Sequence, residues 1–196
     1  MANWLAFLYV FVVTFTPGPN NIMALVNANL FGFRKTVKFL LGVFTGFALI
    51  MLVCSYFNLW LFNLLPKVQM LMGIIGAVYM LYLAIIIMKS GEPEEKEGNA
   101  QLNSFLAGLT MQFVNPKVIL YGITVISNFI ITHYRSPLTL FLFSLFLAFV
   151  GLVATSSWAL FGVVFKRFLA RYRRPFNIVL GLLLIYSAVS ISGMVK

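Results

Sequence analysis

Lys117 is the residue in this sequence whose chemistry most needs an explanation. It closes the run Gln112-Phe113-Val114-Asn115-Pro116-Lys117, inside an apolar stretch over about 104–131. Counted from Phe105 at ~1.5 Å per residue, it lies roughly 18 Å along a helix, near the bilayer centre if that stretch spans one. A lysine at that depth costs ~2.5–3.5 kcal/mol on insertion scales. The sequence has four acidic residues, Glu92, Glu94, Glu95 and Glu97, and all four fall in one polar stretch. No intramembrane carboxylate is left to pair with the amine. It is therefore neutral, or faces a watery cavity, or meets an anionic group brought by a substrate. The third arrangement would justify the cost; the plain alternative is a helix start that puts Lys117 nearer an interface.

A second group of helix-breaking residues, Thr16-Pro17-Gly18-Pro19-Asn20-Asn21, sits midway through the apolar run over about 4–30. Each proline removes a backbone donor and clashes with the carbonyl four residues back. Glycine costs helix stability, and asparagine competes for backbone partners. Freed backbone groups in hydrocarbon must be satisfied by protein or water, so the break is expected to face a cavity. A helix starting at Pro19 presents unpaired N–H groups and partial positive charge, a natural seat for a carboxylate. Freed carbonyls, with Asn20, Asn21, Gln112 and Asn115, are suited to an ammonium. An α-amino acid carries both groups. A cationic side chain would find no acidic partner and would face Lys117, which favours small neutral amino acids.

These residues need elements to hold them, and the composition says which. The chain has 196 residues, 62% hydrophobic and 9% charged, with mean hydropathy +1.00. Soluble domains carry about 25% charged residues, so this is an integral membrane protein. Long apolar runs point to helices rather than an outer-membrane barrel. Six segments are expected, at about 4–30, 37–62, 67–88, 104–131, 138–165 and 175–194. The first reads as a retained span, since Met-Ala-Asn-Trp has no basic leader region. Pro66, Pro137 and Pro175 fall at or just before segment starts, where a missing N–H costs little.

The polar stretch over 90–103 divides the chain into two halves of three segments, 1–89 and 104–196. It reads as an acidic cytoplasmic linker. With an odd number of spans each, the halves enter the membrane in opposite directions. The expected fold is therefore all-α, six transmembrane helices in a 3+3 inverted-topology repeat, with breaks in helices 1 and 4. Paired breaks at matching positions point to a substrate site at mid-depth. Residues Pro17, Gly18, Pro19, Asn20, Asn21, Gln112, Asn115, Pro116 and Lys117 are the expected substrate-binding set.

The formal charge of +10 reads as membrane orientation rather than nucleic-acid binding. Arg34, Lys35, Lys38, Lys89, Lys96, Lys166, Arg167, Arg171, Arg173 and Arg174 fall on one side, against Lys67, Arg135 and Lys196 on the other. Excess Lys/Arg marks the cytoplasmic face, which puts both termini outside. The single cysteine, Cys54, excludes an intrachain disulfide and a two-thiol redox relay. Together with the single histidine, His133, it makes a soft-metal site improbable; hard cations would want carboxylates. No cofactor is expected. No Ser/His/Asp or Cys/His arrangement suggests an enzyme, and the glycines at 42 and 46 do not continue into a phosphate loop. Gly42-Val43-Phe44-Thr45-Gly46 reads as close packing within the fold, with a homodimer seam as the alternative. Thr155, Ser156 and Ser157 beside Trp158, and Tyr79, Tyr82 and Tyr121, are candidates to line a cavity or to serve packing alone. His133 reads as a solvated loop residue.

Thr16-Pro17-Gly18-Pro19-Asn20-Asn21, Gly32-Phe33-Arg34 and Gln112 to Lys117 resemble signatures of the LysE/RhtB amino-acid exporter family. The stretch from Lys166 to Ile191, with Phe176-Asn177-Ile178-Val179-Leu180 and Leu184-Ile185-Tyr186, resembles its cysteine/O-acetylserine exporter branch. The resemblance implies efflux of small amino acids or derivatives across a bacterial inner membrane, driven by the proton-motive force. With no buried carboxylate in the sequence, Lys117 is the leading titratable group for such coupling; the alternative is membrane potential acting on substrate charge. Threonine, homoserine or its lactone, and leucine are the alternative substrates within the same family.

Overall fold

The computed structural model describes residues 2–89 and 101–191. The expected acidic linker lies, up to Ala100, outside the described residues, as do Met1 and residues 192–196. The described chain is all helical. It runs α1 (Ala2–Phe15), α2 (Pro19–Phe31), α3 (Phe33–Tyr56), α4 (Asn58–Lys89), α5 (Phe105–Val114), α6 (Pro116–Val125), a π-helical turn (Ile126–Ile130), α7 (Pro137–Val164), α8 (Lys166–Arg171) and α9 (Arg173–Ile191).

Both expected breaks are present. The first apolar run stops at Phe15 and restarts at Pro19, with Pro17 and Gly18 in neither helix. The second is interrupted at Asn115, where α5 and the α6–π segment meet at 65°. In each case a proline opens the new helix, where its missing N–H would have had no partner anyway. The bend shortens the path of the chain across its layer, so the straight-rod count of Lys117's depth is an upper bound.

The expected boundary between the second and third segments is corrected. The apolar runs place them at about 37–62 and 67–88, with Pro66 just before the latter, but α3 ends at Tyr56 and Pro66 lies inside α4. The chain turns at Phe57 because the residues around it are tied elsewhere. Tyr56 Oη donates to Pro137 O (3.0 Å), and Asn58 Nδ2 donates to Ser127 Oγ (2.8 Å). The Ser55 and Ser144 hydroxyls are bonded at 2.9 Å. These tertiary bonds outweigh the local preference of proline for a helix start.

Large apolar side chains cover the outside: Trp4, Leu138 and Val164 are 79%, 67% and 72% exposed. So much exposed apolar surface is suited to lipid rather than water. Among the described residues, α3 and α7 are each long and apolar enough to cross a membrane, and the α5–α6 pair, bent by 65°, has the length and composition of a broken span or a re-entrant loop. Between helices in lipid the hydrophobic drive is absent, and close packing and polar ties replace it. The glycines of α3 serve that packing inside the fold. A side chain at Gly42 would strike the backbone of Phe105, and one at Gly108 would strike that of Phe39. The Gly42-x-x-x-Gly46 motif is thus a helix crossing of α3 on α5. Gly32, at φ +81°, supplies the left-handed turn that lets α3 follow α2 after a single residue.

Among the described residues the interior divides into two apolar clusters. One gathers Ile22 and Leu25 of α2, Phe39 of α3, Met111 of α5, Ala159 of α7, Ile87 of α4 and Leu184 of α9. The other gathers Phe47 and Met51 of α3, Val118 and Tyr121 of α6, and Leu147 of α7, with Tyr9 and Val13 of α1 against it. The long α3 and α7 contribute to both clusters, whereas each broken helix changes cluster at its break.

Candidate functional site

The two breaks meet. Asn20, in the first turn of α2, and Gln112, in the last turn of α5, form a reciprocal amide pair. Asn20 Nδ2 donates to Gln112 Oε1 (2.8 Å), and Gln112 Nε2 donates to Asn20 Oδ1 (3.1 Å). Gln112, fully buried, donates also to Gly108 O at 2.8 Å. Asn115 Nδ2 adds a third bond to Asn20 Oδ1 (3.3 Å). Asn115 is extended (φ −93°, ψ 98°), and its Oδ1 caps α6 by accepting from Lys117 N at 3.1 Å.

The end of α1 is fully accounted for, as buried backbone groups require. Val12 O accepts from Thr16 N (3.0 Å), and Val13 O from Thr16 Oγ1 (2.9 Å). Asn21 Nδ2 bridges Thr14 O (3.0 Å) and Thr16 O (2.9 Å). Trp158 Nε1, reaching from α7, donates to Phe15 O (3.1 Å). Lys117 supplies the rest: its Nζ donates to Thr16 Oγ1 (3.0 Å), Thr16 O (3.3 Å) and Pro17 O (3.4 Å). The amine that sequence left without a partner is thus held by neutral oxygens of the other break. The four glutamates lie outside the described residues. Gly18 permits this arrangement, since a Cβ there would come within 3.1 Å of Lys117 Nζ.

The two new helix N-termini differ. That of α6 is capped by Asn115, whereas Gly18 at the head of α2 is extended and offers no side-chain cap. Beside it lies a cavity of about 40 Å³, measured as the space open to the centres of water molecules. That is room for a few waters at ~10–15 Å³ each. Its wall includes Gly18, Pro19, Asn20, Asn21, Asn115 and Lys117. Of the other residues expected in the site, Pro17 contributes only its carbonyl to Lys117, Gln112 is spent on the amide pair, and the Pro116 ring packs against Gly76 of α4. These three stand outside the wall.

Several wall residues were not singled out from sequence: Val13, Thr14, Phe47, Val118 and Gly151. Nothing in their types distinguishes them from other apolar or small residues of a membrane helix; only the fold brings them together. Thr155 and Tyr121 do line the cavity. Ser157 instead bonds its own helix at Val153 O (2.8 Å). Tyr82 is exposed, and the Tyr79 ring lies beside it, tilted by 33° with ring centroids 6.4 Å apart. His133 is exposed, its Nδ1 within 2.8 Å of Thr132 Oγ1.

The model of the LysE type translocator family matches residues 11–192. The chain belongs to the LysE type translocator family. A cysteine/O-acetylserine efflux protein of Klebsiella pneumoniae is 41% identical over 187 residues, covering 95% of each chain. Proteins of the same description from Escherichia coli are 40% identical (strain E24377A) and 39% identical (strain K12) over 184 residues, 93% of each chain. No solved structure matches the chain significantly. This LysE type chain is accordingly a transporter and not an enzyme.

Proposed function

We propose that this translocator exports small neutral amino acids or their derivatives across the bacterial inner membrane. Cysteine and O-acetylserine, named for its relatives, are the first substrates to test. In this reading the chain makes six spans: the broken α1–α2, α3, α4, the broken α5–α6, α7 and α9. Residues 1–89 and 104–196 form inverted halves joined by the 90–103 linker. The order of the two apolar clusters supports this. The chain passes from the Phe47 cluster to the Phe39 cluster at the first break and in the reverse order at the second. Likewise α3 runs from the Phe39 cluster to the Phe47 cluster, and α7 runs back.

One observation carries the proposal: the ammonium of Lys117, on one break, is bound to the carbonyls of the other, with no carboxylate among the described residues. A seat of neutral oxygens that holds one ammonium will hold another. The substrate's α-ammonium would take that seat, and its carboxylate would lie toward the uncapped start of α2 and the displaced Lys117. Asn20, Asn21, Gln112 and Asn115 keep the two breaks in register while this exchange takes place, and Pro17, Gly18, Pro19 and Pro116 shape them. Lys117 would thereby alternate between an internal partner and the substrate, which suits alternating access. It is also the group on which proton coupling would act. Counterflow in proteoliposomes with labelled amino acids and imposed pH gradients tests both parts. Exchange of small neutral amino acids is expected; exchange confined to basic amino acids, or none, would overturn the assignment.

A further inference from the structure

The Tyr121 hydroxyl is a buried polar group left over by the fold. The residue is 3% exposed, lines the cavity beside the α2 N-terminus, and among the described residues its Oη has no hydrogen-bond partner. The Thr14 hydroxyl is a polar neighbour of it; it donates to Val10 O at 2.5 Å and has lone pairs free to accept, but the two hydroxyls do not meet in hydrogen-bond geometry. A buried hydroxyl without a partner is costly, and most such groups in proteins are satisfied. The ring itself is firmly placed. It stacks on Tyr9 (centroids 6.4 Å apart, planes 7° apart) and packs against Phe47 (5.7 Å). The hydroxyl is therefore held at the cavity wall, where cavity water or a ligand is its available partner.

We infer that Tyr121 is the residue that reads the substrate's side chain, selecting small amino acids that carry a hydrogen-bonding group: a hydroxyl, a thiol or an ester. This rests on the transport reading above and adds to it a specificity subsite. Lys117 and Tyr121 are four residues apart on α6 and so share one face, about 6 Å apart along its axis. A substrate whose charged end is held around Lys117 extends its side chain one turn along that face. There it meets the tyrosine hydroxyl, between the ring of Phe47 and the small Gly151 and Thr155. The aromatic walls limit the length of the side chain, and the hydroxyl rewards a polar end.

The test is counterflow in proteoliposomes with near-isosteric pairs: serine and cysteine against 2-aminobutyrate. The full-length protein is expected to favour serine and cysteine. Tyr121→Phe is expected to cut that preference roughly tenfold, about the value of one hydrogen bond, while still exchanging 2-aminobutyrate. The thermal shift produced by serine should shrink in the same variant. An unchanged preference in a folded Tyr121→Phe overturns the inference alone, as does a wild-type protein that exchanges all three equally well. Because the hydroxyl has no partner to lose, the empty variant should melt no lower than the wild type; a variant that fails to fold would contradict the premise. Absence of any amino-acid exchange by the wild type would instead fell the transport reading itself.

Discussion

At the scale of single residues, Lys117 carries the argument. Its ammonium replaces an ion pair with three neutral acceptors on a helix end whose own partial charge is negative. Lys117→Met removes those charge-assisted bonds, each of a kind worth ~1.5–3 kcal/mol. Export is expected to fall by about 10- to 100-fold, with insertion retained and the thermal midpoint lowered by several degrees; undiminished export in reconstituted vesicles would exclude the residue from the mechanism. The sequence made Lys117 conspicuous because its cost was computable from depth and from the absence of acids. Its actual partners were not legible: Thr16 O and Pro17 O are backbone atoms about a hundred residues away, and no composition or spacing rule reports where a carbonyl points. Trp158, which caps Phe15 O, was hidden for the same reason.

At the scale of elements, the breaks and the helix crossings behave differently. The amide pair between Asn20 and Gln112 ties α2 to α5. Asn20→Ala strands Gln112 Oε1 in a fully buried position and should cost about 1–3 kcal/mol. Replacing Gln112 by leucine in that background should recover part of the loss, giving a non-zero coupling energy in a double-mutant cycle by chemical unfolding; additive costs would count against the pair. The α3–α5 crossing is less forgiving. Gly108→Val drives a side chain into the Phe39 backbone and should destabilise by about 3 kcal/mol or more. Gly151→Ala meets nothing nearer than 3.7 Å and should be neutral or stabilising by ~0.5–1 kcal/mol. Differential scanning in detergent separates the two. Proline made both breaks readable, helped by Gly18 in the first, because those residues act on the backbone locally. The turn at Phe57 was not readable, because it is set by Tyr56, Asn58 and Ser127 finding partners across the fold while Pro66 stays inside a helix.

At the scale of the whole molecule, charge and packing set the frame. Ten basic residues on one side against three on the other, counted in the sequence, are the ground for proposing that both ends of the chain lie on the far side of the membrane. A phosphatase fused after Lys196 should therefore be active and a fluorescent protein fused there dark; the reverse would invert the topology. The division of the interior into two apolar clusters has a mechanical consequence. Neither cluster must be taken apart for one to tilt on the other, because α1 and α2, and likewise α5 and α6, part company at their breaks. What resists tilting is a handful of amide and carbonyl bonds around Asn20, Asn21, Trp158 and Lys117, together with the bending stiffness of α3 and α7. A solute able to replace those bonds with its own charged ends would lower the barrier to its own passage.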